Sequence, residues 1–246
     1  MPVRSYYAQN HCFRTGYQHR QREQLAHGVS VIAIDGPVAA GKTAVGRKLA
    51  QSLGFAYLDT GIMYRAITWL ALKNDVPVED EAALGDLART SPIELVGTNR
   101  DHVSVAGHTL GSELRESPVD RNVSVVSKAT SVRTEMVAQQ RKIADQSNIV
   151  MIGRDIGTVV LPDADLKIYL TASPENRAKR RWQEMQDRGQ VVELMTVLSE
   201  TLKRDEIDTG RENSPLKPAE DAWELNTDGL NIQQVVQQII TRAESL

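Results

Sequence analysis

The chemistry-bearing residues of this chain stand where apolar runs stop. In "AIDGPVAAGKTAVGRKLA", Ala33 to Ala50, the pattern Gly36-x4-Gly41-Lys42-Thr43 follows the apolar run Val29 to Ile34 and precedes an amphipathic run, Ala44 to Leu53. Strand, glycine-bounded loop and helix in that order form a polyphosphate cradle, in which backbone N–H groups surround the phosphates and a lysine reaches the terminal ones. Gly36, Pro37, Val38, Ala39, Ala40, Gly41, Lys42 and Thr43 are the expected ATP-binding set. A helix starting near Lys42 adds free N–H groups and the positive end of its dipole. The Thr43 hydroxyl is the expected Mg2+ ligand. The loop implies a nucleoside triphosphate and Mg2+, but GTPases, ATPases and small-molecule kinases all use it, so the phosphate acceptor must be read elsewhere.

Four other segments carry charge in suggestive places. "YLDTGIMYRAI" gives Asp59-Thr60-Gly61 and then a helix with Tyr64 and Arg65, and "IVMIGRDIGTVVLPDA" sets Arg154 and Asp155 directly after a four-residue apolar run. Ligands of open α/β sheets bind at the C-terminal ends of strands, where both segments fall. "RDEIDTGRENSPL" presents Arg204, Asp208 and Arg211 at spacings of four and three, which share one face of a helix and its continuing turn. In "ENRAKRRWQEM", Arg177 and Arg181 lie four apart around Lys179 and Arg180 and would face one way, as a lid offering positive charge to a transferring phosphoryl group. Taken singly, each set is also compatible with a solvated ion pair or a basic helix face.

The elements that must position these residues alternate. Further apolar runs at Ala56–Leu58, Ile149–Ile152, Leu166–Leu170 and Ala222–Leu225 read as buried strands. Helical stretches are expected at Ile62–Leu72, Arg133–Gln146, Pro174–Arg188 and Leu194–Asp208. The pattern predicts an α/β fold, a parallel five-stranded sheet with helices on both faces. "IELVG" and "HVSVAG", around the turn "TNRD", alternate apolar and polar residues and predict a small antiparallel hairpin inside a long excursion between the second and third core strands.

Composition bounds the rest. The 246 residues suffice for one large α/β domain with insertions or for two small domains, and a net charge of -3 gives no support for a nucleic-acid-coating surface. The single Cys12 excludes an intramolecular disulfide and a cysteine-based zinc cluster, which suits a reducing cytoplasm. No apolar run approaches the ~18 residues of a membrane helix. The first 28 residues hold three of the five histidines and four arginines against one acid, without steady periodicity, and read as a disordered tail ahead of a domain spanning 29–246.

In order and spacing, "IDGPVAAGKT", "YLDTGIMYRA", "GRDIGTVVLPDA", "RDEIDTGRENSPL" and "AEDAWELNT" resemble the bacterial cytidylate kinases over about Val29 to Val236. The resemblance implies transfer of the ATP γ-phosphate to CMP or dCMP by a monomeric cytoplasmic P-loop enzyme with Mg2+. It implies a nucleoside-monophosphate-binding insertion at about 62–125 and a short lid at about 174–190. Arg65, Arg154 and Arg211 stand at positions that in the family grip the CMP phosphate. Ser124, Arg133 and Asp155 match positions reading the cytosine edge, and Arg204 and Asp208 match those at the ribose. Thr60 and Tyr64 belong to the acceptor turn and helix, while Arg177 and Arg181 match lid arginines; Lys42, Arg154, Arg177, Arg181 and Arg211 form the expected catalytic set. Three departures stand out: Val38 and Ala39 where the family loop usually has Ser or Gly, Ile62 for a small residue, and Asn226 within the usual "LDT". The competing readings are a P-loop kinase acting on UMP, AMP or shikimate, a GTP-hydrolysing switch, and a nucleic-acid-binding ATPase, which net charge and aromatic content do not support. The second would need an N-K-x-D signature, which the chain lacks.

Overall fold

The structure, a computed structural model, describes residues 29–97, 102–211 and 214–246. The expected tail 1–28, the whole "TNRD" turn and residues 212–213 lie outside the described residues.

β1 (Val31–Asp35) leads through the glycine loop into α1 (Lys42–Leu53). β2 (Ala56–Asp59) and α2 (Thr60–Lys73) follow. Then come α3 (Glu81–Thr90), β3 (Ile93–Val96), β4 (His102–Val105), β5 (His108–Leu110), α4 (Ser117–Val126) and α5 (Thr130–Ala144). The chain returns to the main sheet with β6 (Ile149–Ile152), passes a single π-type turn at Ile156–Val160, and continues through β7 (Leu166–Thr171) and α6 (Pro174–Asp187). It finishes with α7 (Leu194–Thr209), β8 (Trp223–Asn226) and α8 (Ile232–Ala243).

β2, β6, β1, β7 and β8 lie side by side in that order and run parallel throughout. β1, β2 and β6 are apolar on both sides because both faces are covered there, whereas β7 and β8 alternate buried with partly exposed residues. Ile32 and Ile34 of β1, with Val150 and Ile152 of β6, pack on Val45 and Leu49 of α1 and Val235 and Ile239 of α8. The intervening Ala33, Ile149 and Met151 face the other way, against Met63 and Ile67 of α2 and Met136 of α5. Truncating one of these fully buried aliphatics to alanine costs about 2–5 kcal/mol. α8 starts with a reciprocal cap, Asn231 and Gln234 each accepting the other's backbone N–H. No described helix is long and apolar enough to cross a membrane.

The expected five-stranded sheet is present, with strand ends displaced by one or two residues. The hairpin differs, because the antiparallel unit has three strands in the order β3-β4-β5. Val105 pairs with His108 around Ala106 and Gly107, whose φ values of 48° and 77° give the left-handed two-residue turn that matches strand twist. "AG" is a weaker turn signal than Asn-Gly, and a three-residue strand is too short to show alternation. The excursion also holds two helices beyond those expected, α3 and α4. α3 is capped by the Asp80 carboxylate accepting the Ala83 N–H, and α4 opens with proline in its first turn.

Candidate active site

The phosphate loop takes its shape from two glycines. A Cβ at Gly36 would lie 2.0 Å from the Leu170 carbonyl oxygen, so only glycine lets the chain leave β1 against β7. Gly41, at φ 97°, turns the chain into α1. Between them Ala39 adopts φ 59°, a left-handed conformation that alanine reaches only with strain. Pro37 and Ala40 close the loop, the Ala40 N–H reaching the Pro37 carbonyl at 3.4 Å. Lys42 folds back over it, its Nζ donating to the carbonyls of Gly36 and Pro37 at 2.6 and 2.7 Å. Burial first, and then the Arg154 cation, pull its ammonium down to about 7, against Asp59, Asp35 and Asp208. An incoming polyphosphate would exchange those carbonyls for anionic oxygens and reverse this effect.

At the C-terminal end of β2, Asp59 does two jobs. Its Oδ1 accepts the Gly61 N–H at 3.0 Å and caps α2, and its Oδ2 accepts the Thr43 hydroxyl at 3.2 Å. Thr60 is buried, and its hydroxyl donates to the Ile152 carbonyl at 2.9 Å, joining the β2 end to the β6 end. One turn on, Tyr64 is buried with Arg133 stacked 5.8 Å from its ring centre, and burial pushes its phenol up to about 12. Arg65 donates to the Leu114 carbonyl at 2.8 Å and pairs with Asp120 of α4.

The residues after β6 converge on α5 and α7. Asp155 pairs with Arg133, both side chains nearly enclosed, at 12% and 10% exposure. Arg154 donates through Nε to Asp208, whose other oxygen lies 2.6 Å from Arg211 Nη2. That second contact has no hydrogen-bond alignment, so Asp208 Oδ1 keeps an acceptor lone pair inside the site. Arg204 lies in the same field, its guanidinium lowered to about 10 by burial and then by Arg154. Burial likewise lowers Arg211, opposed by Asp208. A cleft of about 410 Å³ opens beside these groups, lined by Ser127, Lys128 and Arg133 on one side and Glu206, Ile207, Gly210 and Arg211 on the other.

Two expected site residues stand apart. Ser124 lies on the exposed face of α4, outside the cleft lining, while Ser127, one turn on, lines it. Arg177 and Arg181 do not share an environment. Arg177 is 3% exposed, forks onto both oxygens of Asp205 at 3.0 and 2.5 Å, and also donates to the Ala172 and Val38 carbonyls at 3.0 and 3.2 Å. In this state it braces α6 on α7 and on the phosphate loop. Arg181 is half-buried, with its Nε unpartnered. Arg180, between them, holds the Thr227 hydroxyl and carbonyl at 2.9 Å each. The sequence carried no marker for Asp205, Asp120, Ser127 or Lys128 as site neighbours, because each acts through a partner at least 20 residues distant or through a helix junction.

A glycine loop at the middle of a parallel sheet, with an arginine cluster gathered around the segment that follows the C-terminal end of β6, defines a P-loop phosphotransferase of the small-molecule kinase class. Within that class the chain belongs to the cytidylate kinase family, whose sequence model, described as "Cytidylate kinase", matches residues 32–245. It is 48% identical over 208 residues to the cytidylate kinase of Caldanaerobacter subterraneus subsp. tengcongensis, covering 85% of this chain and 92% of that protein. It is 46% identical to the cytidylate kinase of Bacillus velezensis, over 87% of this chain and 96% of that one. Against the cytidylate kinase of Bacillus subtilis the identity is 44%, over 87% and 96%.

Proposed function

We propose that the protein transfers the γ-phosphate of ATP to CMP or dCMP, giving CDP or dCDP and ADP, as a cytoplasmic monomer. The observation that carries this reading is the Arg133–Asp155 pair beside the Arg154–Asp208–Arg211 cluster, across from the phosphate loop. Cytosine presents a 4-amino donor next to its N3 acceptor. A carboxylate only accepts and a guanidinium only donates, so the side-by-side pair offers the complementary edge, and uracil would meet opposed lone pairs. Arg65, Arg154 and Arg211 would hold the CMP phosphate, and Arg204 and Asp208 the sugar, with the free Asp208 Oδ1 accepting from a sugar hydroxyl. Thr60 and Tyr64 shape the wall of this site, and Ser124 would approach the base through movement of α4. Segments 62–125 and 174–190 would close over the two substrates.

No covalent nucleophile is needed, because the acceptor phosphate oxygen is already anionic at neutral pH. The protein aligns the two phosphates and offsets their charge. Lys42 moves from the loop carbonyls to the β- and γ-phosphates, and Arg154, Arg211 and Arg181 stabilise the equatorial oxygens during in-line transfer. Arg177 joins them only by leaving Asp205. For Mg2+, Thr43 Oγ1 and Asp59 Oδ2 form a hard-oxygen donor set. Among the described residues no group of three or more His, Cys, Asp or Glu lies together, so substrate phosphates would have to supply the remaining ligands. When bound, the ion neutralises β- and γ-phosphate charge.

A coupled ADP-release assay across CMP, dCMP, UMP, AMP, GMP and shikimate tests the assignment. Turnover should be highest with CMP and dCMP. A larger kcat/KM for any of the other four would refute it.

A further inference from the structure

One carboxylate lies outside the site as described, at the end of the strand that feeds the phosphate loop. Asp35 is 4% exposed. Its Oδ1 accepts the N–H of Ile156 at 2.8 Å and its Oδ2 that of Gly157 at 2.7 Å. These two N–H groups open the π-type turn that follows Arg154 and Asp155, a position where a helical turn has no partner of its own to offer. Further along, the turn closes on itself, with Val159 and Val160 donating to the Asp155 carbonyl at 2.9 and 3.1 Å. The fit is close: a Cβ at Gly157 would come 3.4 Å from Asp35 Oδ2 and 3.3 Å from Lys167 Cδ.

We propose that Asp35 is a positioning residue for phosphoryl transfer: from the last position of β1 it ties the turn bearing Arg154 and Asp155 to the loop that begins at Gly36, and so sets the separation of acceptor and donor. The proposal rests on the acceptor roles given above to Arg154 and Asp155. A purely stabilising prop would not need a charge here. Burial raises the Asp35 carboxyl from 3.8 to about 6, with Asp155 adding to the rise and the two N–H groups and Lys42 opposing it. A carboxyl raised in the folded state stabilises the fold most when protonated, below about 3.8, and that contribution is lost as pH rises through about 6. At neutral pH the charge is therefore kept at a loss of stability. What the ionised form adds is two acceptors at fixed positions, and a 1 Å misplacement of reacting groups costs on the order of 10²-fold in rate. The other charged or titratable groups facing it are Asp155 from the turn, Lys42 from α1, and Tyr169 and Lys167 from β7, with the Lys167 ammonium held by Asp221.

The test is Asp35→Asn in the full chain, with three readouts. The melting temperature at neutral pH should stay within a few degrees of wild type, KM for ATP within about twofold, and kcat/KM for CMP should fall by about 10²-fold. The wild-type to variant ratio of kcat/KM should shrink as pH falls through about 6, where the wild-type carboxyl also takes a proton. Both proteins use the same CMP, so its own ionisation cancels. Asparagine keeps one acceptor oxygen, so hydrogen exchange at one of the Ile156 and Gly157 amides should be at least about tenfold faster in the variant, consistent with loss of a net ~1.4 kcal/mol hydrogen bond. This last readout needs no substrate. If wild type leaves CMP untouched, the acceptor assignment falls and exchange alone decides the role of Asp35. Unchanged exchange, a kcat/KM for CMP within about threefold of wild type, a loss carried by KM for ATP, or a variant that does not fold would each overturn the proposal.

Discussion

Replacing Asp208 with asparagine puts the arginine cluster under the most direct strain. The carboxylate is 1% exposed, and the Arg154 and Arg211 side chains it joins are 22% and 14% exposed, so little water stands ready to replace it. Asparagine keeps the shape and removes the charge, leaving Arg154, Arg204 and Arg211 to repel one another. Removing one partner of a buried pair costs about 3–5 kcal/mol, and asparagine's remaining acceptor places this change near the lower end. For a chain of this size each kcal/mol lowers Tm by about 2–4 °C, so a fall of about 6–12 °C is expected. A sugar hydroxyl on Asp208 Oδ1 would contribute about 1.5–3 kcal/mol, so kcat/KM for CMP should fall by about one to two orders of magnitude. Calorimetry with and without tens of millimolar inorganic phosphate separates the two effects. The anion takes the place of the lost carboxylate among the arginines and should raise the variant's Tm more than the wild type's. A variant within about 2 °C of wild type, with phosphate shifting both equally, would refute the picture of Asp208 as the cluster's counterion.

Asp120→Asn should release Arg65 for the acceptor phosphate. The pair is 26% and 52% exposed, so Tm should hold within about 2 °C while KM for CMP falls about threefold at low salt, an advantage that fades as salt rises; an unchanged KM at low salt would count against Arg65 as a phosphate ligand. Arg133→Met and Asp155→Asn, assayed separately, should each narrow the CMP to UMP preference by at least about tenfold. Arg133→Met should also lose about 3 kcal/mol of stability by stranding a buried carboxylate, whereas a retained preference in both variants would place the base elsewhere. Ala39→Gly relieves a left-handed alanine worth about 1–2 kcal/mol but loosens the unfolded chain by about 0.4–1 kcal/mol, so Tm should rise by about 2 °C; a fall would show that the alanine side chain is itself needed in the loop.

The parallel sheet is legible because β1, β2 and β6 are apolar on both sides and end in loops carrying Gly, Asp or Arg, while β7 and β8 keep apolar residues at every second position. The excursion was less so. β5 is three residues long, and α3 packs on α2 and α5 while α4 packs on α2, so each ten-residue helix has only a short apolar stripe to announce it. Site residues announced by opposite charges at a strand end, such as Arg154–Asp155, could be read from the chain. Arg177 could not be placed that way. Helical spacing puts it on the same face as Arg181, yet Asp205, 28 residues further on, captures it, and spacing within one helix cannot foresee a partner on another. Asp35 was hidden for a similar reason: inside "IDGP" it looks like part of the phosphate loop, while its partners lie over 120 residues away in another turn.

The strand order also bears on how the chain is made. β1 and β2 emerge from the ribosome close together but are not neighbours in the sheet, because β6 lies between them and pairs with both. At about 5–20 residues per second, the roughly ninety residues separating β2 from β6 take several seconds to synthesise. Throughout that interval the nascent phosphate loop hangs from a strand with no completed edge on either side, and "VIAID" and "AYLD" are exposed to wrong partners. The insertion that shapes the acceptor side therefore also acts as a delay line, and co-translational folding of the nucleotide cradle must wait for "IVMI".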